Sequence, residues 1–255
     1  MKFFSSVLII LLVSYNYAQT PKRILEDYEL IWQDEFEGNS LDTSKWLGRE
    51  VGVKRGVGIV RRENTFLDGE GHLIIEATKV DSTYFIGQIA TFFKHEFTYG
   101  YFESSVQLNK VVGPSTAFWL QSLTYGKHIG DPGRSGTEID ILEYRRKYRT
   151  NEIHHTIHWD GYGTDHQQHG NSPIHKGIEE GFHTFGLEWT PKQYIFYVDG
   201  KVSWKTKKSV SQAPQYIILS VEMNNWSGDP SNSTFPDKAV YDYVRVYQKK
   251  SKEKL

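Results

Sequence analysis

Beyond its first twenty residues the chain alternates apolar and polar positions with a period of two. The pattern runs through His72–Ala77, Tyr101–Leu108, Ala117–Gln121, Glu138–Leu142, Ile153–Trp159, Phe182–Trp189, Tyr194–Val198, Tyr216–Val221 and Tyr241–Tyr247. These runs are rich in β-branched and aromatic residues and predict strands with one face turned inward. Turn signals lie between them, among them Asp68-Gly69, Asp160-Gly161, Asp199-Gly200 and Gly228-Asp229-Pro230. Tyr194–Val198 and Lys201–Trp204 read as a hairpin, because an Asp-Gly pair accepts the positive φ angles of a tight two-residue turn. No long segment keeps a 3.6-residue period, and no internal repeat is visible. Many strands without intervening helices predict an all-β antiparallel sandwich or barrel.

The first segment has a different pattern. Met1–Ala18 has one cation, Lys2, then an apolar run from Phe3 to Val13, and the small residue Ala18 at a position suited to cleavage. The run is about half the roughly 20 residues a membrane span needs. It reads as a signal peptide, so a secreted protein is expected, extracellular or periplasmic, with no membrane span in the mature chain. Residues 19–248 then read as one domain and 249–255 as a charged tail. Two Asn-x-Ser/Thr sequons, at Asn225 and Asn232, carry no information without knowledge of the host.

Composition narrows the function. Lys+Arg 30 against Asp+Glu 31 gives a net charge of -1, without the basic surplus of a general nucleic-acid binder. Cysteine is absent, which excludes disulfides and Cys-ligated metal sites. Aromatic residues make up 15% of the chain. They fill β-sheet cores, and they also offer flat faces for weakly polar ligands such as sugars.

The candidate chemistry lies in Gly136-Thr-Glu-Ile-Asp-Ile-Leu-Glu-Tyr144. Glu138 and Asp140 are two apart and share a strand face. Glu143 has the wrong parity and joins them only if a β-bulge near Ile141–Leu142 adds one residue. Three carboxylates on one face repel each other, a cost with no purely structural purpose. The crowding makes sense where one must be an anion while a neighbour keeps its proton, as in retaining glycoside hydrolysis. A calcium loop would draw its ligands from turns rich in Asp, Asn and Gly, whereas this segment is apolar between its acids.

The Glu138-Ile-Asp140-Ile-Leu-Glu143 run resembles the bulged signature of glycoside hydrolase family 16, which includes laminarinases, agarases, carrageenases and porphyranases. Further blocks are similar to that family and occur in its order. They are Trp32-Gln-Asp-Glu-Phe-Glu-Gly, Leu41-Asp-Thr-Ser-Lys-Trp46, Tyr99-Gly-Tyr-Phe-Glu103, Ala117-Phe-Trp-Leu120, Phe182-His-Thr-Phe-Gly-Leu-Glu-Trp189, Val198-Asp-Gly-Lys201 and Asp242-Tyr-Val-Arg-Val-Tyr247. The resemblance implies a concanavalin A-like jelly roll of two antiparallel sheets, with the substrate in a concave cleft. It further implies Glu138 as nucleophile, Glu143 as general acid/base and Asp140 hydrogen-bonded to the nucleophile. No cofactor is implied for catalysis. Glu35 and Asp242 match positions from which family members bind a structural calcium on the convex face.

Strand parity extends the site. Ala117, Trp119 and Gln121 share one face, offering an aromatic surface and an amide, and His154, Thr156 and His158 share another. His158 matches a histidine that the family places beside its acid/base, and Asn64 resembles a substrate-contacting asparagine. Trp226, in a polar loop, is expected to line a subsite. Trp32, Trp46 and Trp189 read as core residues.

A β-linked polysaccharide is the expected partner of a monomeric endo-hydrolase, with β-1,3-glucan of the laminarin type first. Two departures from the laminarinase pattern keep agar-, porphyran- and carrageenan-type galactans open. Gly113-Pro-Ser-Thr116 stands where Trp-Pro is usual, and Arg145, Arg146, Lys147 and Arg149 follow the triplet. Guanidinium groups there could pair with sulfate, although a solvated loop would look the same. A lectin on the same fold would not need the acidic triplet, while a transglycosylase would use the same residues with a sugar acceptor.

Overall fold

The computed structural model describes residues 20–147 and 150–251, so the segment read as a signal peptide, together with Arg149 and residues 252–255 of the tail, lies outside the described residues. Two sheets face each other across a continuous apolar core. Among the described residues one sheet has eleven strands and the other seven. Pairing is antiparallel except between Gly58–Val60 and Thr83–Ile86. The seven-stranded sheet runs in the order Gln167–Asn171, His154–Trp159, Glu138–Arg145, Ser115–Gln121, Tyr216–Glu222, Gln88–Ala90, Leu47–Gly48. The catalytic strand of the sequence reading thus lies near the middle of a sheet, paired on both sides.

Alternation sets what each face does. Phe118 and Leu120, Ile217, Leu219 and Val221, and Ile153, Ile157 and Trp159 enter the main core, where they meet Phe102, Phe185, Leu187, Trp189, Phe196, Val244 and Val246 from the larger sheet. Their neighbours in sequence, Trp119, Tyr216 and Ile218, form a small cluster on the opposite face. Trp46 and Trp189 are fully buried, and Trp32 packs against the core edge-on to Trp46 at 5.7 Å, as expected of core residues. The expected hairpin is present as Gln193–Val198 and Lys201–Thr206, with Asp199 at φ 49° and Gly200 at φ 69°.

Two features differ from the sequence reading. A helix, Lys22–Asp27, lies over the outer face of the larger sheet and buries Ile24 with Tyr28, Tyr101, Ile195, Tyr197 and Tyr247. It brings Arg23 and Tyr28 onto the carboxylate of Glu188, and Thr20 onto buried Glu103 (2.7 Å). Six residues are too short for a 3.6-residue period to register, which is why the pattern missed it. The last strand also runs further than expected, Asp237–Lys249, and the Lys250 amide donates to Asp27 O at 3.0 Å. The ordered domain therefore extends past residue 248. No helix of the described residues is long and apolar enough to cross a membrane.

Candidate active site

The strand Glu138–Arg145 carries the bulge that its sequence requires. Asp140 pairs with Thr156 and Glu143 with His154, so three steps on this strand match two on its neighbour. On the other side Phe118 pairs with Leu142 and Trp119 with Asp140, which leaves Ile141 as the extra residue. Ile139, Ile141, Leu142 and Tyr144 are all fully buried in the core. Two consecutive residues facing inward is the side-chain consequence of the bulge. It returns Glu143 to the face of Glu138 and Asp140. Gly136, two residues before the strand, sits at φ 76°, where a side chain would run into Ser122.

The three carboxyl groups line one cavity of about 210 Å³ with Arg55, Trp119, His158, Tyr162, Glu222 and Asn224. Glu143 opens as well into an adjoining cavity of about 570 Å³, lined by His154, Thr156, His158, Gln168, His169 and Trp226 among others. Together they form a groove on the face of the sheet turned away from the main core, the predicted side.

Hydrogen bonds sort the carboxylates. Glu138 Oε2 accepts from Gln121 Nε2 (2.9 Å) and from the Tyr162 hydroxyl. Gln121 is itself oriented by Tyr216, whose hydroxyl donates to Gln121 Oε1 at 2.8 Å. His158 Nε2 lies 3.2 Å from Asp140 Oδ2 and 3.9 Å from Glu138 Oε1, and its Nδ1 lies 2.9 Å from His166 Nε2.

Burial raises the pKa of all three acids. Glu138 is pushed up to about 7 by burial and by Asp140, with His158 and Tyr162 pulling the other way. Burial likewise raises Asp140, against the hydrogen bond and charge of His158. Glu143 is held well above the ordinary carboxylate range by burial first, then by the charges of Asp140, Glu138 and Glu222. For His158, burial opposes protonation, but Asp140 and Glu138 outweigh it and raise its pKa. The groove thus favours the proton on Glu143, while His158 and Tyr162 offset part of the cost of the Glu138 anion.

Most of the expected substrate residues reach the groove. His154, His158 and Trp226 line it, Trp226 packing edge-on to His154 at 5.5 Å, while buried Gln121 acts through its hydrogen bond to Glu138. Trp119 lines the cavity but is only 4% exposed, because Arg49 covers its ring at 4.9 Å. It is a floor more than an open platform. Arg145 stacks on Trp226 at 4.3 Å and donates to its carbonyl, which fixes the guanidinium at the rim.

Asn64 does not belong to the site. It is buried between strands, donating to Glu76 O (3.1 Å), Thr78 Oγ1 (2.9 Å) and Phe85 O (3.3 Å), and this structural role explains the asparagine. The pair matched to a calcium position, Glu35 and Asp242, lies in a separate cavity away from the groove. Both oxygens of Glu35 are taken by Arg245, at 2.8 Å and 2.7 Å, in a convex-face cavity that also holds Asp242. A guanidinium fork already neutralises this carboxylate, so the donor set as it stands does not fit a calcium ion. Among the described residues, the group with spacing suited to a metal is Glu138, Asp140 and His158, the atoms of the catalytic network itself.

Sequence reasoning missed Tyr162, Arg55, Glu222, Asn224 and His166. Tyr162, Asn224 and His166 sit on loops and Arg55 on a two-residue strand, where parity with the acidic strand has no meaning, whereas Glu222 ends the strand Tyr216–Glu222 and alternation with Ile218 and Ser220 could have found it. The Asp160-Gly-Tyr162 turn was visible only as a turn signal.

With this geometry in place, comparison with known proteins is decisive. A model of the glycoside hydrolase family 16 domain of β-porphyranases A–D matches residues 32–249. The chain belongs to glycoside hydrolase family 16. As a member it is an endo-acting glycoside hydrolase. Its relatives in that family include a β-glucanase of Rhodothermus marinus, 30% identical, covering 87% of this chain and 85% of the relative. The clotting factor G alpha subunit of Tachypleus tridentatus is 28% identical over 87% of this chain, which spans only 34% of that protein. Among solved structures, a laminarinase from Flavobacterium sp. UMI-01 superposes with a TM-score of 0.75 at 27% identity, covering 86% of this chain and 100% of that one. Jelly-roll architecture and family membership therefore agree with the resemblance read from the acidic strand.

Proposed function

We propose that this family 16 enzyme is secreted and cleaves internal linkages of a β-linked polysaccharide by double displacement. Glu138 attacks the anomeric carbon, and Glu143 gives its proton to the departing glycosidic oxygen. Glu143, now an anion, takes a proton from water, which attacks the glycosyl-enzyme, releases the Glu138 carboxylate and leaves the β configuration retained. Asp140 and His158 keep charge and protons in place beside Glu138. The observation that carries this reading is the single extra residue at Ile141, which sets Glu143 on the face of Glu138. A lectin would gain nothing from three buried, mutually repelling acids.

β-1,3-Glucan is the leading substrate, supported by the β-glucanase relative and the laminarinase neighbour. A galactan of the porphyran type is the second reading. It is favoured by the matching family model. Incubating the purified protein with laminarin, lichenan, agarose, porphyran and carrageenan tests both. Oligosaccharides from laminarin alone support the glucan reading, and products from porphyran alone overturn it in favour of the second. Longer oligosaccharides formed from added acceptor sugars would identify transglycosylation instead of hydrolysis.

A further inference from the structure

The bulge that positions Glu143 has a cost. It leaves Ile141 without a register partner on either side. The residue is fully buried in the core, where a backbone carbonyl needs a hydrogen-bond donor. A side chain meets it. His155, fourteen residues further along and fully buried, places Nδ1 at 2.8 Å from Ile141 O.

The protonation of this contact follows from its partners. A carbonyl oxygen only accepts, so His155 Nδ1 must carry the hydrogen. Burial lowers the imidazole pKa to about 3, so the ring is neutral and Nε2 is an acceptor. Nε2 lies 2.8 Å from Ser203 Oγ, whose hydroxyl therefore donates to it. Ser203 Oγ in turn lies 3.0 Å from His175 Nε2. The ring packs on Phe196 at 4.9 Å, which stacks on Trp204 at 5.0 Å. Phe196, Ser203 and Trp204 all come from the hairpin Gln193–Thr206 of the opposite sheet. The bulge is thereby braced across the core by the outer sheet.

We infer that His155 is a positioning residue for Glu143. It holds the bulged conformation by donating from Nδ1 to Ile141 O, and Ser203 fixes the tautomer that allows it. The inference rests on Glu143 being the acid/base.

The test compares two substrates, the polysaccharide the enzyme cleaves and an aryl glycoside of its oligosaccharide with a strongly acidic phenol. The phenolate leaves without a proton, so its departure needs no general acid. Azide can then attack the glycosyl-enzyme in place of water, releasing the Glu138 carboxylate without a base. Glu143→Ala should lose polysaccharide turnover by about 10²–10⁴-fold and keep azide-rescued aryl turnover. If it does not, the acid/base assignment itself fails.

His155→Leu should show the same selective pattern at smaller amplitude, with polysaccharide turnover down about 10–100-fold, the equivalent of one lost buried hydrogen bond of about 1–3 kcal/mol. His155→Asn, whose Nδ2 can donate from nearly the same place, should recover most of it. Equal loss on both substrates, or no loss, would overturn the positioning role while leaving Glu143 in place. If His155→Leu does not fold, Ser203→Ala decides. Removing the hydroxyl that fixes the tautomer should lower the polysaccharide-to-aryl ratio severalfold, and an unchanged ratio overturns the inference.

Discussion

Tyr162, a ring 60% exposed on a surface loop, donates its hydroxyl to Oε2 of Glu138, which is almost fully enclosed. Two loops combine to place it. Tyr125 packs edge-on to Tyr162 at 5.0 Å and donates to Gly161 O, while the Gly130 amide donates to Asp160 Oδ1. The long connection before the acidic strand is thus a support for the nucleophile's hydrogen-bond donor.

Removing that donor should weaken the Glu138 anion. A hydrogen bond to a charged group is worth about 1.5–3 kcal/mol, or roughly 1–2 pH units. Tyr162→Phe is therefore expected to lower kcat/KM at pH 6 about tenfold or more and to move the acidic limb of its pH profile upward by about one unit. An unshifted limb would show that the hydroxyl does not stabilise the anion.

The whole pH profile should be bell-shaped. The Glu138 pKa is raised to about 7, so the reactive carboxylate is lost as pH falls through that value. Glu143 works as an acid only while protonated, and burial holds its pKa well above the ordinary carboxylate range, so activity is lost again as pH rises through it. Initial rates from pH 4 to 10 check this. A plateau extending down to pH 4 would rule out a raised nucleophile pKa.

The same burial makes a stability statement. An acid with a raised folded-state pKa keeps its full contribution below the unfolded value near 4.5 and loses it as pH rises toward the folded value. Glu143→Gln has no such loss. Its melting temperature should match that of the parent near pH 4 and exceed it increasingly toward pH 8. A difference independent of pH would mean that Glu143 ionises normally.

On the convex face, Arg245 does with a side chain what a bound cation would do for Glu35. Chelation should leave Tm unchanged, and Arg245→Met should lower it by roughly 2–4 °C for each kcal/mol lost. A fall in Tm on chelation that calcium reverses would restore the expectation of a bound ion.

How far the sequence carried depended on whether strand parity governed the residue. Ala117, Trp119 and Gln121 share a face with Glu138 and Asp140 because all lie on paired strands, and alternation alone identifies that set. Even the bulge was legible, since Glu143 could join the face in no other way. Its brace was not: His155 reads by parity as one more core residue, and nothing in its spacing points to the carbonyl of Ile141. Tyr162 and Arg55 were invisible for another reason, because loop geometry brings them in and no periodicity records it. Asn64 shows the converse, since a matching local motif cannot reveal that backbone carbonyls and a threonine already take its side-chain amide.

The most direct measurement is proton NMR of the anomeric signals in the first seconds of polysaccharide cleavage. With Glu138 as nucleophile and Glu143 as acid/base on one strand face, the new reducing end should appear first as the β anomer and only later equilibrate. The α anomer appearing first would mean direct attack by water, and would contradict the roles assigned to both residues.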